Sequence, residues 1–200
     1  MKLIETIQIL DGEPQRLSYH NERFNRSRKL LFCLLEEVFL EEYLQIPIEF
    51  QTGKVKCRVL YDTQVRKVEY ELYQERLIDR FYLVESNLDY DHKYHDRSVF
   101  QELLSSLESS SEIIILKNGY LTDTSYCNLL FKDHKQHWWT PQKPLLRGTH
   151  RAFLLDEGLI EEREISVQDL PQFSHLMMIN AMLNFDEKRA VKIDETSLHL

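Results

Sequence analysis

Ile113-Ile-Ile-Leu-Lys-Asn-Gly-Tyr-Leu-Thr-Asp-Thr-Ser-Tyr-Cys-Asn128 is the stretch on which the reading of this chain turns. Ile113 to Leu116 form a short continuous apolar run, the mark of a buried strand. Asn118-Gly119 follows as a tight-turn signal, because both residues tolerate positive φ. Extended structure resumes from Leu121 through Phe131, so the whole reads as a hairpin. Its second arm sets a carboxylate (Asp123), hydroxyl groups and an amide (Asn128) between apolar runs. By itself this is as much a hairpin with a polar face as a functional site.

Toward the N-terminus, residues 3–10 alternate as a strand and Asp11-Gly12 with Pro14 breaks it. Ser18 is placed to cap a helix running to about Leu44, with Phe24, Leu31, Leu35 and Val38 at helical spacing and Ile46-Pro47 as its stop. Lys56 to Tyr61 and Val68 to Leu72 read as an antiparallel pair of strands. Residues 1–76 are therefore expected to form a small α+β domain, with Arg76 to Arg80 as linker. Residues 77–200 are expected to form a second domain mixing short strands and helices. Strands are expected at Phe81–Val84, Trp138-Trp139 and Leu176–Ile179, with another starting at Ile165. Helices are expected around Val99–Leu107, from Thr149 to Asp156 with Gly158 just beyond, and over Val167–Phe173.

Composition narrows the function. The 200 residues are 42% hydrophobic and 29% charged, values of an ordinary globule and not of a disordered chain. Lys+Arg 25 against Asp+Glu 33 gives a net charge of -8, which argues against a nucleic-acid partner. No stretch approaches the roughly 18 apolar residues of a membrane span, and the first residues do not read as a signal peptide. Cys33, Cys57 and Cys127 are scattered and odd in number, as expected of reduced thiols in a cytoplasmic protein.

Three further polar segments accompany the hairpin. Asp89-Tyr-Asp-His-Lys-Tyr-His-Asp-Arg97 is a dense charged run, ordinarily a solvated loop. Within it Lys93 has Arg97 one helical turn on, which disfavours its ammonium form. Leu146-Arg-Gly-Thr-His-Arg151 opens a helix, where backbone N–H groups receive phosphate and a glycine lets it approach. His20-Asn-Glu-Arg23 sits near the start of the first helix and alone reads as surface polarity.

In this order the segments resemble the class IV aminotransferase family, the pyridoxal 5'-phosphate (PLP) enzymes of fold type IV, over nearly the whole chain. His20-Asn-Glu-Arg-Phe24 matches the family's His-x-x-Arg-Leu. Thr122-Asp-Thr-Ser-Tyr-Cys-Asn128 matches its Thr-Glu-x-x-x-x-Asn, and Arg147-Gly-Thr-His-Arg151 its Arg-Gly-x-x-Arg. The resemblance implies a fold like that of D-amino-acid aminotransferase, α+β in class. It has a small N-terminal α+β domain and a larger C-terminal pseudo-barrel domain that carries the Schiff-base lysine.

The resemblance also implies the site. Lys93 is the Schiff-base lysine, Arg23 holds the cofactor phosphate, and Asp123 replaces the glutamate that pairs with the pyridine nitrogen. Asn128, the backbone at Thr149 and His150, and Asn180-Ala181 complete the cofactor contacts. Glu5-Thr6 matches a Phe-Glu-Thr on the first strand, which makes Thr6 catalytic beside the lysine, and Arg97 binds substrate. PLP chemistry needs such a set: an amine, an acid for the ring nitrogen, and cations for the phosphate.

Lys93-Tyr-His-Asp-Arg97 and Ile179-Asn-Ala-Met182 look most like the 4-amino-4-deoxychorismate lyase branch, which eliminates pyruvate to give 4-aminobenzoate for folate. Aminotransferases of the branched-chain or D-amino-acid type are the alternative, as is a PLP-binding relative with little activity. A small-molecule amino substrate and a homodimer are implied either way. The sequence departs from the family in three places. The family's opening Asn-Gly and Tyr-Gly-Asp-Gly stretch precedes the point where this chain starts, Asp123 is one methylene short, and His150 stands where threonine is common. A metal enzyme fits less well: His92-x-x-His95 and His134-x-x-His137 lack the HExxH glutamate, so no metal ligand is assigned. A pure interaction module would leave the ordered Lys, Asp and Arg unexplained.

Overall fold

The computed structural model describes residues 1–199. The chain divides into two compact units, one of Met1–Glu75 with His92–Asp96, the other of Arg76–Asp91 with Arg97–Leu200.

The N-terminal unit is one antiparallel sheet with a helix. Strand β1 (Leu3–Leu10) turns into the short β2 (Glu13–Pro14), helix α1 (Leu17–Phe32) follows, then β3 (Lys54–Tyr61) and β4 (Val65–Leu72). The strand order is β2-β1-β3-β4. Along β3, buried and half-buried residues alternate strictly, so one face enters the core. β1 is buried on both faces instead, with Leu3, Ile7 and Ile9 in the core and Glu5 and Gln8 also covered.

Two expectations fail here. The helix is capped by Arg16 in a left-handed conformation with no side-chain cap, so Ser18 lies inside it. It also stops at Phe32, where Cys33 takes a φ of 57°. The chain beyond folds back along α1. Asn25 exchanges hydrogen bonds with the backbone of Val38 (2.9 and 3.0 Å), Asn21 accepts from the N–H of Leu40 at 2.8 Å, and Arg28 donates to the carbonyl of Glu36 at 2.8 Å. Val38 packs on the same core as Leu31, so the apolar spacing persists through a loop that is not helical.

The C-terminal unit holds the remaining strands among the described residues. They are β5 (Arg80–Glu85), β6 (Ser111–Lys117), β7 (Tyr120–Thr124), β8 (Asn128–Asp133), β9 (Trp138–Pro141), β10 (Glu161–Arg163), β11 (Phe173–Ile179), β12 (Val191–Lys192) and β13 (Leu198–His199). Helices α2 (Ser98–Leu104) and α3 (Thr149–Asp156) belong to it too. The sheet runs β10-β9-β8-β7-β6-β5-β13, with β11 joined to β8 and β12. The β6–β7 turn has Asn118 at φ 55° and Gly119 at 77°, as a tight hairpin requires. α3 packs Leu154 against Leu130, Trp138, Met177 and Ile179 of the strands.

Here the strand expected to start at Ile165 instead ends before it, at Arg163. Ile165 is buried, and its carbonyl accepts the N–H of Leu121 at 2.8 Å. The apolar signal there marks a single anchoring residue.

The chain crosses between units more often than a single boundary at 76/77 would allow. Residues 92–96 return to β1: the N–H of Ile4 donates to the carbonyl of Lys93 at 2.9 Å, and the N–H of His95 to that of Lys2 at 3.0 Å. Leu3 and Tyr94 form an isolated bridge. The lysine expected in the C-terminal domain is thus held by the N-terminal unit. Backbone pairing does this, and a charged run gives no side-chain sign of it.

Candidate active site

The residues singled out in the sequence fall into one group in each unit. In the N-terminal unit, α1 presents His20, Arg23 and Ser27 along one buried face. Arg23 grips Glu5 of β1 with both prongs of its guanidinium: Nε donates to Oε1 at 2.9 Å and Nη2 to Oε2 at 2.5 Å. His20 Nδ1 lies 2.6 Å from Oε2 of the same carboxylate. Burial would raise the Glu5 carboxyl, but the Arg23 charge and the hydrogen bonds from His20 and Arg23 overcome it and hold the pKa at about 2. Burial keeps the His20 imidazole below its ordinary value, so the neutral ring donates through Nδ1.

Lys93 is half-buried in the segment that pairs with β1. The neighbouring His92 meets Ser27 Oγ through Nδ1 at 3.1 Å, which ties the lysine segment to α1. Thr6 sits on β1 opposite Arg58 of β3, half-covered.

In the C-terminal unit, Asp123 at the end of β7 is buried. Its Oδ1 accepts from Asn128 Nδ2, and its Oδ2 from the N–H of Leu146, each at 2.8 Å. Burial is the main influence and pushes its pKa up to about 6. Asn128 also donates to the carbonyl of Leu146 at 2.8 Å. Its Oδ1 lies over Gly148, where a Cβ would come within 1.9 Å. A glycine is therefore required, and it brings the start of α3 against the Asp123–Asn128 pair. Asn128 thus bridges Asp123 and the backbone before α3.

α3 starts at Gly148 with no side-chain cap, which leaves Thr149 and His150 in its first turn. His150 Nδ1 is 3.0 Å from the carbonyls of both Asn180 and Leu183. Both partners accept, so Nδ1 carries the proton. Asn180 closes that turn on itself, with Oδ1 accepting from the N–H groups of Met182 and Leu183 at 2.8 and 2.9 Å. Asn180 Nδ2 lies 3.1 Å from Cys127 Sγ. Ala181 is buried within the turn. Arg97, at the start of α2, donates to the carbonyl of Ser125 at 2.8 Å and lies over the Phe100 ring. The structure thus joins Asp123 to Asn128 over Gly148 before α3, and His150 in the first turn of α3 to the Asn180 turn.

Sequence reasoning missed Glu5, His20 and Gly148 as working parts. Glu5 shares the apolar face of β1 with Leu3, Ile7 and Ile9, but no local pattern marks its partner 18 residues on. Gly148 carried a signal, though only as a phosphate approach and not as room for Asn128. Among the described residues no group of three or more His, Cys, Asp and Glu is arranged to hold a metal ion. No helix among them is long and apolar enough to cross a membrane, and none of the three cysteines is in a disulfide.

Comparison with known proteins gives this geometry a context. The profile of the class IV amino-transferase family matches residues 2–185. A Haemophilus influenzae protein described only as uncharacterized is 36% identical over 183 residues, which span 90% of this chain and 97% of that protein. The crystal structure of a protein proposed to be a 4-amino-4-deoxychorismate lyase, from Haemophilus somnus, has a TM-score of 0.85 at 33% identity, covering 92% of this chain and 97% of that one. A hypothetical aminotransferase from Mycobacterium tuberculosis, in its PLP-bound form, has a TM-score of 0.77 over 98% of this chain and 81% of that one. At 17% identity that likeness shows the fold alone. The fold is the fold-type-IV one that the ordered motifs imply, and the chain belongs to the class IV aminotransferase family of enzymes.

Proposed function

We propose that the protein is a PLP-dependent lyase of the 4-amino-4-deoxychorismate lyase type, releasing pyruvate and leaving 4-aminobenzoate. The observation that carries the cofactor is the cluster in the C-terminal unit. There a buried acid and the start of α3 are locked together by Asn128 over Gly148. An acid suited to a pyridine nitrogen and a helix start suited to a phosphate are what this cofactor asks of a protein. Arg23 and Lys93, both of the N-terminal unit, supply a buried cation and an amine. The residues fit the group.

When bound, PLP supplies an electron sink next to the substrate amine. Lys93 supplies the amine that holds the cofactor, and it takes the proton from the carbon bearing the substrate's amine as the C–O bond to the departing pyruvate breaks. Asp123 stabilises charge on the ring nitrogen. By the family motifs, Thr149, His150, Asn180 and Ala181 are assigned to the cofactor phosphate, and Arg23 is assigned to it as well. Arg97 binds a substrate carboxylate, and Thr6 orients the substrate beside Lys93. The lyase branch is favoured by the Lys93–Arg97 and Ile179–Met182 patterns, together with the 33% identity to the Haemophilus somnus protein. A small amino substrate, a homodimer and a cytoplasmic setting belong to the same reading and rest on the family likeness.

The test is direct. Purified protein given PLP shows a visible absorbance band, and Lys93→Ala loses it. Pyruvate then appears from aminodeoxychorismate without any keto-acid acceptor. A protein that takes up no PLP sinks the reading, and activity that demands a keto acid replaces the lyase with an aminotransferase.

A further inference from the structure

A carboxylate as fully buried as Glu5 is costly unless charged partners answer it. Glu5 has one, Arg23, and a neutral hydrogen-bond donor beside it, His20, and both come from one face of one helix. Arg23 meets both its oxygens, at 2.9 and 2.5 Å, and His20, three residues earlier on α1, meets Oε2 at 2.6 Å. Two parallel N–H···O bonds fix both the plane and the direction of a guanidinium, which a single contact does not. The support is rigid. Glu5 stands in mid-β1, paired with Val59 of β3, and α1 covers it with Phe24 in the core beside Arg23. Arg23 itself is only 7% exposed, so its orientation is decided by Glu5 and not by water.

We propose that Glu5 is a positioning residue for phosphate recognition: it fixes the guanidinium of Arg23 in the one orientation that meets a phosphate, and His20 holds Glu5 in place. This rests on the assignment of Arg23 to the cofactor phosphate. It separates β1 into two roles, with Glu5 facing the cation and Thr6, its neighbour, left to the substrate. A merely structural ion pair would act on the fold as a whole. A positioning pair acts on the phosphate alone.

PLP and pyridoxal share a ring and an aldehyde and differ in the phosphate, so they separate the two roles. The affinity of each for wild type and for Glu5→Gln is measured by absorbance titration, with thermal melting alongside. In Glu5→Gln the affinity for PLP falls by about tenfold or more, as outer partners of a binding group typically cost, while that for pyridoxal stays. Glu5→Asp keeps an anion beside the buried guanidinium but retracts it by one methylene. It therefore folds where the glutamine fails, and it too loses preference for PLP over pyridoxal. An unchanged PLP-to-pyridoxal ratio in the soluble variant, or an equal fall for both compounds, overturns the assignment. A wild type that takes up neither compound overturns the functional reading and this assignment with it.

Discussion

In the N-terminal unit Glu5 faces a guanidinium, and in the C-terminal unit Asp123 faces an amide and a peptide N–H. Both acids are almost wholly covered, at 0% and 4% exposure. Their carboxyls nevertheless move in opposite directions, Glu5 down to about 2 and Asp123 up to about 6. Burial is the same kind of penalty for each. The difference lies in the partner: a guanidinium bonded to both oxygens of Glu5 outweighs desolvation, whereas the neutral donors on Asp123 and the charge of Arg151 do not. One unit therefore favours the anion of its buried acid, and the other the protonated form of its own.

Removing the cation breaks the comparison most severely. Arg23→Ala leaves Glu5 buried with no cation beside it and only the His20 hydrogen bond, and chemical denaturation shows a loss of about 3–5 kcal/mol. The Glu5 carboxyl then rises toward Asp123-like values, read as a new titration in the melting temperature. Gly148→Ala strikes the other unit. Its methyl group collides with Asn128 Oδ1, and the variant loses about 1–3 kcal/mol by overpacking. That loss vanishes in an Asn128→Ala background, where the colliding atom is gone, so a double-mutant cycle returns a coupling of similar size. Asn128→Ala alone leaves Asp123 with one donor fewer, lowers stability by about 1–3 kcal/mol, and raises the Asp123 pKa further, seen by following the carboxyl in NMR.

The smallest effect is the pH slope, and its two parts carry opposite signs. Glu5 titrates lower in the folded chain than its ordinary 4.5, so it adds stability that is lost as pH falls from about 4.5 toward 2. Asp123 titrates higher than its ordinary 3.8, so the folded chain holds its proton longer and stability declines as pH rises from about 4 to 6. Denaturation across pH checks both: Glu5→Gln loses the acid-side rise, and Asp123→Asn loses the decline above it. A decline that persists in Asp123→Asn would place the titrating group elsewhere.

Much of this was legible beforehand. The β6–β7 hairpin announced itself because its turn needs positive φ and Asn118-Gly119 supplies it. β3 and β4 followed from alternation, and α3 from the glycine-bounded run around Leu154. The order of polar motifs along the chain pointed to the family, whose profile matches residues 2–185. What stayed hidden had non-local causes. α1 was read too long because Asn21, Asn25 and Arg28 recruit the following loop, whose Val38 mimics another helical turn. Glu5 shares the apolar face of β1 with Leu3, Ile7 and Ile9, and nothing local to it shows that Arg23, 18 residues on, answers its charge. Asp89 to Arg97 looked like a solvated loop because its dense charge hides the backbone pairing with β1 and the packing of Tyr94 on the N-terminal core.

That last pairing has a consequence for how the molecule can be taken apart. The polypeptide passes from one unit to the other after Glu75, back at His92, and out again after Asp96. No single scission separates the two. A fragment ending at Glu75 loses the strip that satisfies Lys2 and Ile4, and with it the lysine; the complementary fragment carries that lysine away from the strand that holds it. Lys93 is thus mechanically part of the body that contains Arg23 and Glu5, and any hinge movement would carry all three together.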